Sequence, residues 1–429
     1  MSSSSLRLLV TSVLLATVSV FDVVVAGPVA NGALQERHHS HEMRSALPGS
    51  WFHTEEGEVH KLFRRQNLDA GGYPAVGSPA WTAAYPSGTP DNTKLPQAWV
   101  DKLNAAVAAG TIPNIPQTTV TNGGTVYPNG VQRDSPEVCS ADDFVCRSPD
   151  DVWDAPNGTV AIGFDDGPLQ PSGQLYDFLA ANNQKATHFY IGINILGNPD
   201  LFNRAYATMG DDIAVHTWTH PYMTSLANID VLAQLGYTMQ IIHDSTGGRL
   251  PRYWRPPYGD IDNRVRAIAK QVFNMTAIIW NHDTGDWTGA SPDKIKGEIQ
   301  GWLNGPKSPG LIILEHELSA SCVQGFMEAY PLFAQNGWTT TSTATLVSAP
   351  GSGPWQNAAN NTGPVTGAAV GGVVPAIVTT SSSAPATTTN STAAAAATST
   401  PKKSRADQTS RPVAMTLAAL SGFAALLLL

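Results

Sequence analysis

From Thr159 onward, short apolar runs alternate with amphipathic stretches along the chain. Runs of that length rich in β-branched residues predict strands, and periods near 3.6 predict helices. Strands are expected at Thr159 to Phe164, Ala186 to Ile191, Ile213 to His216, Arg252 to Trp254, Thr276 to His282, Leu311 to Glu315 and Trp338 to Ser342. Helices are expected between them: from a Ser172 cap to Asn182, Asp200 to Met209, Ile229 to His243, Asn263 to Phe273, Ser291-Pro292 to Leu303, and Cys322 to Asn336. Strand and helix alternate about seven times over roughly 190 residues, the pattern of a parallel α/β barrel. No GxGxxG follows a strand, which argues against a dinucleotide fold.

Before Thr159 the periodicity fades. Within residues 66–158, Gln66 to Pro136 is rich in Pro, Gly, Asn and Thr and predicts one helix, Pro96 to Ala109, stopped at Gly110. They read as an extension wrapping the barrel. Residues 27–65 are rich in His and charge. His38, His39 and His41 there could bind metal, but a disordered pro-segment ending at the dibasic Arg64-Arg65 fits the composition better. Residues 1–26 read as a secretory signal, with Arg7, the apolar Leu8 to Val20 and a Val24-Val25-Ala26 cleavage site.

The other end mirrors this. Residues 346–404 form a linker, with Thr379 to Thr400 almost wholly Ser, Thr, Ala and Pro, as in an O-glycosylated stalk. Residues 405–429 combine a polar spacer, Arg405 to Pro412, with an apolar end, Met415 to Leu429. That layout predicts a GPI signal attached at Ser404, with Ser399 and Ala406 as alternatives. The expected location is therefore outside the cell, lipid-held at the plasma membrane and wall. Sequons at Asn157, Asn274, Asn360 and Asn390 suit that route. So does a pairing of Cys139 with Cys146 that leaves Cys322 free; the alternative is Cys322 bonded to one of the other two. A formal charge of −9 and a pI near 5.6 argue against a nucleic-acid partner.

The chemistry lies in two runs, Phe164-Asp165-Asp166-Gly167-Pro168 and His216-Thr217-Trp218-Thr219-His220. Two histidines four apart fall on one face if a helical turn joins them. No Glu follows His216, so this is not the zincin pattern, and a third ligand must come from elsewhere. Asp166 is the candidate. Three protein ligands with a vacant position are the mark of a catalytic ion. Asp165 remains beside it as a base. Asp286 and His316 also fall at strand ends, where a barrel builds its active site.

These runs resemble the polysaccharide deacetylases, the NodB-like carbohydrate esterases of family 4, and within them the fungal chitin deacetylases. All five family motifs have counterparts: Gly163-Phe164-Asp165-Asp166-Gly167-Pro168, His216 to His220, Arg255-Pro256-Pro257-Tyr258-Gly259, Asp283-Thr284-Gly285-Asp286-Trp287, and Leu314-Glu315-His316. Gly163 departs from the family, which usually has Thr there. The resemblance implies a distorted parallel (β/α) barrel, the NodB homology domain, over residues 159–345. It implies zinc or cobalt on Asp166, His216 and His220, with Asp165 as base and His316 as acid. Asp286 would tune His316 and Arg255 orient Asp165. The Tyr258 N–H would face the oxyanion, and Trp287 and Leu314 would line the acetyl pocket. The implied reaction is removal of N-acetyl groups from chitin by a monomer. The alternatives are another acetylated polysaccharide, or a wall glycoprotein that only binds one.

Overall fold

The computed structural model describes residues 73–346 and 353–363, together with Val59, Leu62, Phe63 and Val365. The signal, the stalk, Ser404, the apolar C-terminal run and Asn390 lie outside the described residues.

An extension comes first. Helix α1, Gln97–Ala108, buries Trp99 and Leu103 and ends before Gly110. A Trp of that burial removes on the order of 200 Å² from water, worth on the order of 5 kcal/mol before entropy. Strands β1, Thr119–Thr121, and β2, Gly124–Val126, follow as a small hairpin that the residue pattern did not signal. Cys139 and Cys146 form a disulfide, and Cys322 is a buried free thiol.

The main sheet contains β3 (Thr159–Asp165), β4 (Thr187–Tyr190), β5 (Asp212–Val215), β6 (Tyr253–Trp254), β7 (Thr276–Ala277), β8 (His282–Asp283), β9 (Leu311–Leu314) and β10 (Thr339–Ser342). Its order is β7-β6-β5-β4-β3-β9-β8, with β10 also on β3, and every pairing is parallel. Helices cover it: α2 (Ser172–Ala181), α3 (Gly192–Gly197), α4 (Pro199–Asn203), α5 (Asn228–Ser245), α6 (Asn263–Phe273), α7 (Pro292–Leu303) and α8 (Ala320–Gln335). Strands β4, β5 and β9 are buried along their whole length, as in a sheet covered on both faces.

The helices form for local reasons. Helix α6 opens where the Asp262 carboxylate accepts the Val265 N–H at 2.9 Å. It closes on Asn274 in the left-handed region. Ser291 caps α7 through the Lys294 N–H, with Pro292 at its first position.

Several expectations need correction. Ser172 begins α2 as a helical residue, and its hydroxyl accepts the Leu169 N–H, so it is not the N-cap. The stretch expected as helix to Met209 turns π-helical at Arg204. The strand expected at Thr276 to His282 is two short pieces, β7 and β8, which pair with different neighbours. That break leaves the barrel open as a curled sheet. The extension fills the seam: Val152 bridges to Ile278 and Ala155 to Gly310. The folded body also runs past the expected boundary at residue 345. Trp355 is buried, and Arg252 donates to the Gly353 and Trp355 carbonyls at 2.8 and 2.7 Å.

Gly163 sits where β3 changes partner from β10 to β4. A Cβ there would lie 2.7 Å from Thr343 Oγ1, so the Thr343 hydroxyl already fills the space a side chain would take.

Candidate active site and metal centre

The C-terminal ends of β3, β5 and β9 deliver the chemistry to one place. Asp165 is the last residue of β3, and Asp166 follows with φ 72°. The Asp166 N–H donates to Phe189 O at 3.2 Å, and its own carbonyl accepts from Asn194 Nδ2 at 2.6 Å. Those bonds hold a conformation that few non-glycine residues adopt. Gly167 must lack a side chain, because a Cβ there would overlap the Glu317 carboxylate. The turn lets both aspartates face the same histidine: Asp166 Oδ1 lies 3.3 Å and Asp165 Oδ2 3.7 Å from His216 Nε2.

The run from His216 to His220 is a loop. No helical turn joins its two histidines, because Thr217 and His220 both have positive φ, 66° and 60°. Gln234 on α5 holds the loop, accepting the Trp218 and Thr219 N–H groups at 2.9 Å each. Thr217 Oγ1 accepts the His220 N–H at 3.0 Å. His220 Nε2 ends 3.2 Å from Asp166 Oδ1.

These three residues fit a divalent ion. One ligand atom from each lies within 4.8 Å of the others. Asp166 Oδ1 is buried and accepts no hydrogen bond from the protein. His216 Nδ1 is 2.7 Å from the Arg255 carbonyl, so Nδ1 carries the proton and Nε2 keeps its lone pair for a ligand. Burial, then the neighbouring His216, lower the His220 pKa to about 4, which keeps that ring neutral. Burial opposes ionisation of Asp166, but His216 facing it, with His220 and His316 behind, outweighs that and holds the carboxyl well below its ordinary range. Two imidazole nitrogens and a carboxylate are the donor set of a zinc-type site with room for a further ligand.

Around this cluster stand the remaining motif residues. Arg255 is fully buried and donates from Nη1 to Asp165 Oδ1 at 2.6 Å. Its Nε reaches the Ile278 carbonyl at 3.1 Å, and its guanidinium lies 4.0 Å from the Phe189 ring centre. His316 Nδ1 is 2.7 Å from Asp286 Oδ1, and the His316 N–H donates to Asp286 Oδ2 at 2.8 Å. Burial works against charge on His316, but the Asp286 bond and charge, with Asp166 and Asp165 behind them, raise its pKa to about 9. Tyr258 has φ 60°, and no backbone hydrogen bond among the described residues uses its N–H. Its ring meets His220 edge-on at 4.6 Å and stacks on Tyr222 at 4.0 Å. Trp287 is exposed and donates to Asp283 Oδ2 at 3.4 Å, whereas Leu314 is buried on β9. Among the sequons, Asn157 and Asn360 are exposed and Asn274 is half-buried.

Some of the site was not anticipated. Gln234 holds the metal loop and is a polar residue on a buried helix face, the one signal that could have flagged it. Glu317 lies beneath Gly167 in a fully buried chain, 2.8 Å from His188 Nδ1, while His188 Nε2 is 3.3 Å from Asp211. Burial opposes charge on His188, but Glu317 and Asp211 raise its pKa to about 10.

A polysaccharide deacetylase family model matches residues 154–276. Chitin deacetylase 3 of Cryptococcus neoformans var. neoformans serotype D is 42% identical over 309 residues, 70% of this chain and 72% of that protein. A chitin deacetylase of Amylomyces rouxii is 38% identical over 49% of this chain and 52% of its own length. A family 4 carbohydrate esterase from Streptomyces lividans, solved with acetate, is 31% identical over 44% of this chain and 93% of that chain, with a TM-score of 0.39. A 42% identity that spans nearly three quarters of a chitin deacetylase, together with a curled parallel sheet and an Asp-His-His cluster at its strand ends, places this chain in the polysaccharide deacetylase family, carbohydrate esterase family 4.

Proposed function

We propose that this protein removes N-acetyl groups from the N-acetylglucosamine units of chitin, leaving chitosan and acetate. The carrying observation is the buried pair Asp165 and Asp166, one fixed by Arg255 and the other facing two imidazole nitrogens. An amide needs an activated water on its carbonyl and a proton on its departing nitrogen. Asp166, His216 and His220 would hold a zinc or cobalt ion, and such an ion would supply Lewis acidity for an acetyl carbonyl and a nearby water.

Asp165 accepts the proton of the attacking water. Arg255 fixes and aims its carboxylate through a buried hydrogen bond at 2.6 Å. The Tyr258 N–H points its free donor to the carbonyl oxygen as negative charge develops there. His316 enters as the acid, held charged by Asp286, and hands its proton to the leaving nitrogen. Trp287 and Leu314 supply apolar surface for the acetyl methyl. The chitin deacetylases among its relatives support chitin over other acetylated polysaccharides. The test is acetate release from chitin oligomers that stops with a chelator and resumes with zinc. Release that persists unchanged after full metal removal would overturn the proposal.

The location belongs to the same reading. The polar spacer and apolar run of residues 405–429 support a GPI attachment near Ser404, at the plasma membrane and wall. Intact cell-surface protein that keeps its 415–429 peptide in mass spectrometry would rule this out.

A further inference from the structure

Positive φ is uncommon for residues with a side chain, and for a bulky one it is an outlier. Among the described residues ten non-glycines adopt it, and their placement is uneven. Three are Asn122, Asn183 and Asn274, a residue type that tolerates the conformation in turns. Four are Asp166, Thr217, His220 and Tyr258, at the catalytic centre. The last three are Cys139, Asp143 and Phe144, all inside the loop closed by the Cys139–Cys146 disulfide. Backbone held in such regions persists only where the surroundings over-determine it, and it gathers at functional sites.

That loop is docked beside the catalytic centre. The Ala141 N–H donates to Ile261 O at 3.0 Å, and the segment Asp142–Phe144 touches the turn Pro257–Gly259 that carries Tyr258. The Phe144 ring, at φ 58°, stands edge-on to Trp280 with centroids 6.2 Å apart and lies 6.1 Å from Trp153. Trp280 in turn lies 3.3 Å from where a Cβ of Gly259 would be. Phe144 is thus one ring away from the Tyr258 turn. It still leaves 49% of its surface to solvent, close to the 50% of Tyr258 and 57% of Trp287. A packing role would hide the ring, and a turn role would use Gly or Asn. A rigid, exposed aromatic face suits the apolar C–H face of a pyranose.

We propose that Phe144 forms a flanking subsite that stacks an N-acetylglucosamine unit of the polymer beyond the one being deacetylated. The proposal rests on the deacetylase reading and adds the extension to the substrate cleft. A polymer with one unit at Asp166, His216 and His220 has to leave that centre over its rim, and Phe144 stands on the rim next to Tyr258.

The test measures KM and kcat for N-acetyl chito-oligomers of increasing length, in the wild type, Phe144→Ala and Phe144→Trp. In the wild type KM should fall as added units fill the subsite. Phe144→Ala should remove one such step, raising KM for the longer oligomers about five- to tenfold. It should leave kcat and the shorter oligomers unchanged, and Phe144→Trp should keep the wild-type series. A parallel loss at every length, a fall in kcat throughout, or an unchanged series would each overturn it. If the wild type released no acetate, the deacetylase reading would fail by itself. Calorimetric binding of the same oligomers to wild type and Phe144→Ala would then decide the subsite by the same length dependence.

Discussion

Replacing Asp286 with Asn should take the counter-charge from His316 while keeping the shape of the pair. The carboxylate touches His316 twice, at 2.7 Å to Nδ1 and 2.8 Å to its N–H. Burial alone would push the imidazole below its ordinary 6.5, yet with Asp286 its pKa reaches about 9. A return to 6.5 is a change of 2.5 pH units (9 − 6.5), or about 3 kcal/mol. At pH 7 the wild-type ring would be protonated about a hundred to one, and the variant ring only about one to three. A general acid works while it holds its proton, so activity is present below its pKa and lost as pH rises through it. Acetate release from a chitin oligomer should therefore lose its alkaline limb earlier in Asp286→Asn, by about two pH units or more. A bound dication lowers His316 in both proteins, so the difference between the two profiles is the quantity to read. An alkaline limb at the same pH in both would refute the role given to Asp286.

Three further substitutions test the site and the buried group beneath it. Asp165→Asn should retain its ion and lose turnover, whereas His220→Ala should lose both, as elemental analysis beside acetate release would show; reversed metal contents would exchange the roles of Asp165 and Asp166. Glu317→Gln should cost about 3 kcal/mol in urea denaturation near neutral pH, because it leaves the buried His188 with one carboxylate fewer. His188 has a pKa raised to about 10, so its contribution is complete below 6.5 and fades as pH rises towards 10. The gap between wild type and variant should narrow over that window, and a gap constant with pH would count against a charged His188.

Most of the fold was legible because its elements announce themselves locally. Helix α6 runs Asn263–Phe273 as its pattern predicts, and β3 departs by one residue. The failures share a different cause. The break between β7 and β8, where the extension bridges in at Val152 and Ala155, and the burial of Trp355 against Pro251 and Tyr206, in a stretch that reads as linker, are both tertiary effects. The site was legible residue by residue, since Asp166, His216 and His220 do meet. The expected helical turn between the histidines failed because Gln234, from another element, holds the loop in left-handed backbone. Spacing reports which residues are near in sequence. It carries no trace of a glutamine arriving from α5 or a glutamate from beneath Gly167.

The most direct test of the account is the mass spectrum of N-acetyl chitopentaose after incubation with the zinc-loaded protein. The account predicts products of unchanged chain length that are lighter by whole acetyl groups, formed with an equal amount of acetate and absent with Asp165→Asn. Shortened oligomers would indicate cleavage of the glycosidic bond. An unaltered pentamer that nevertheless binds would make the protein a polysaccharide-binding glycoprotein and contradict the account.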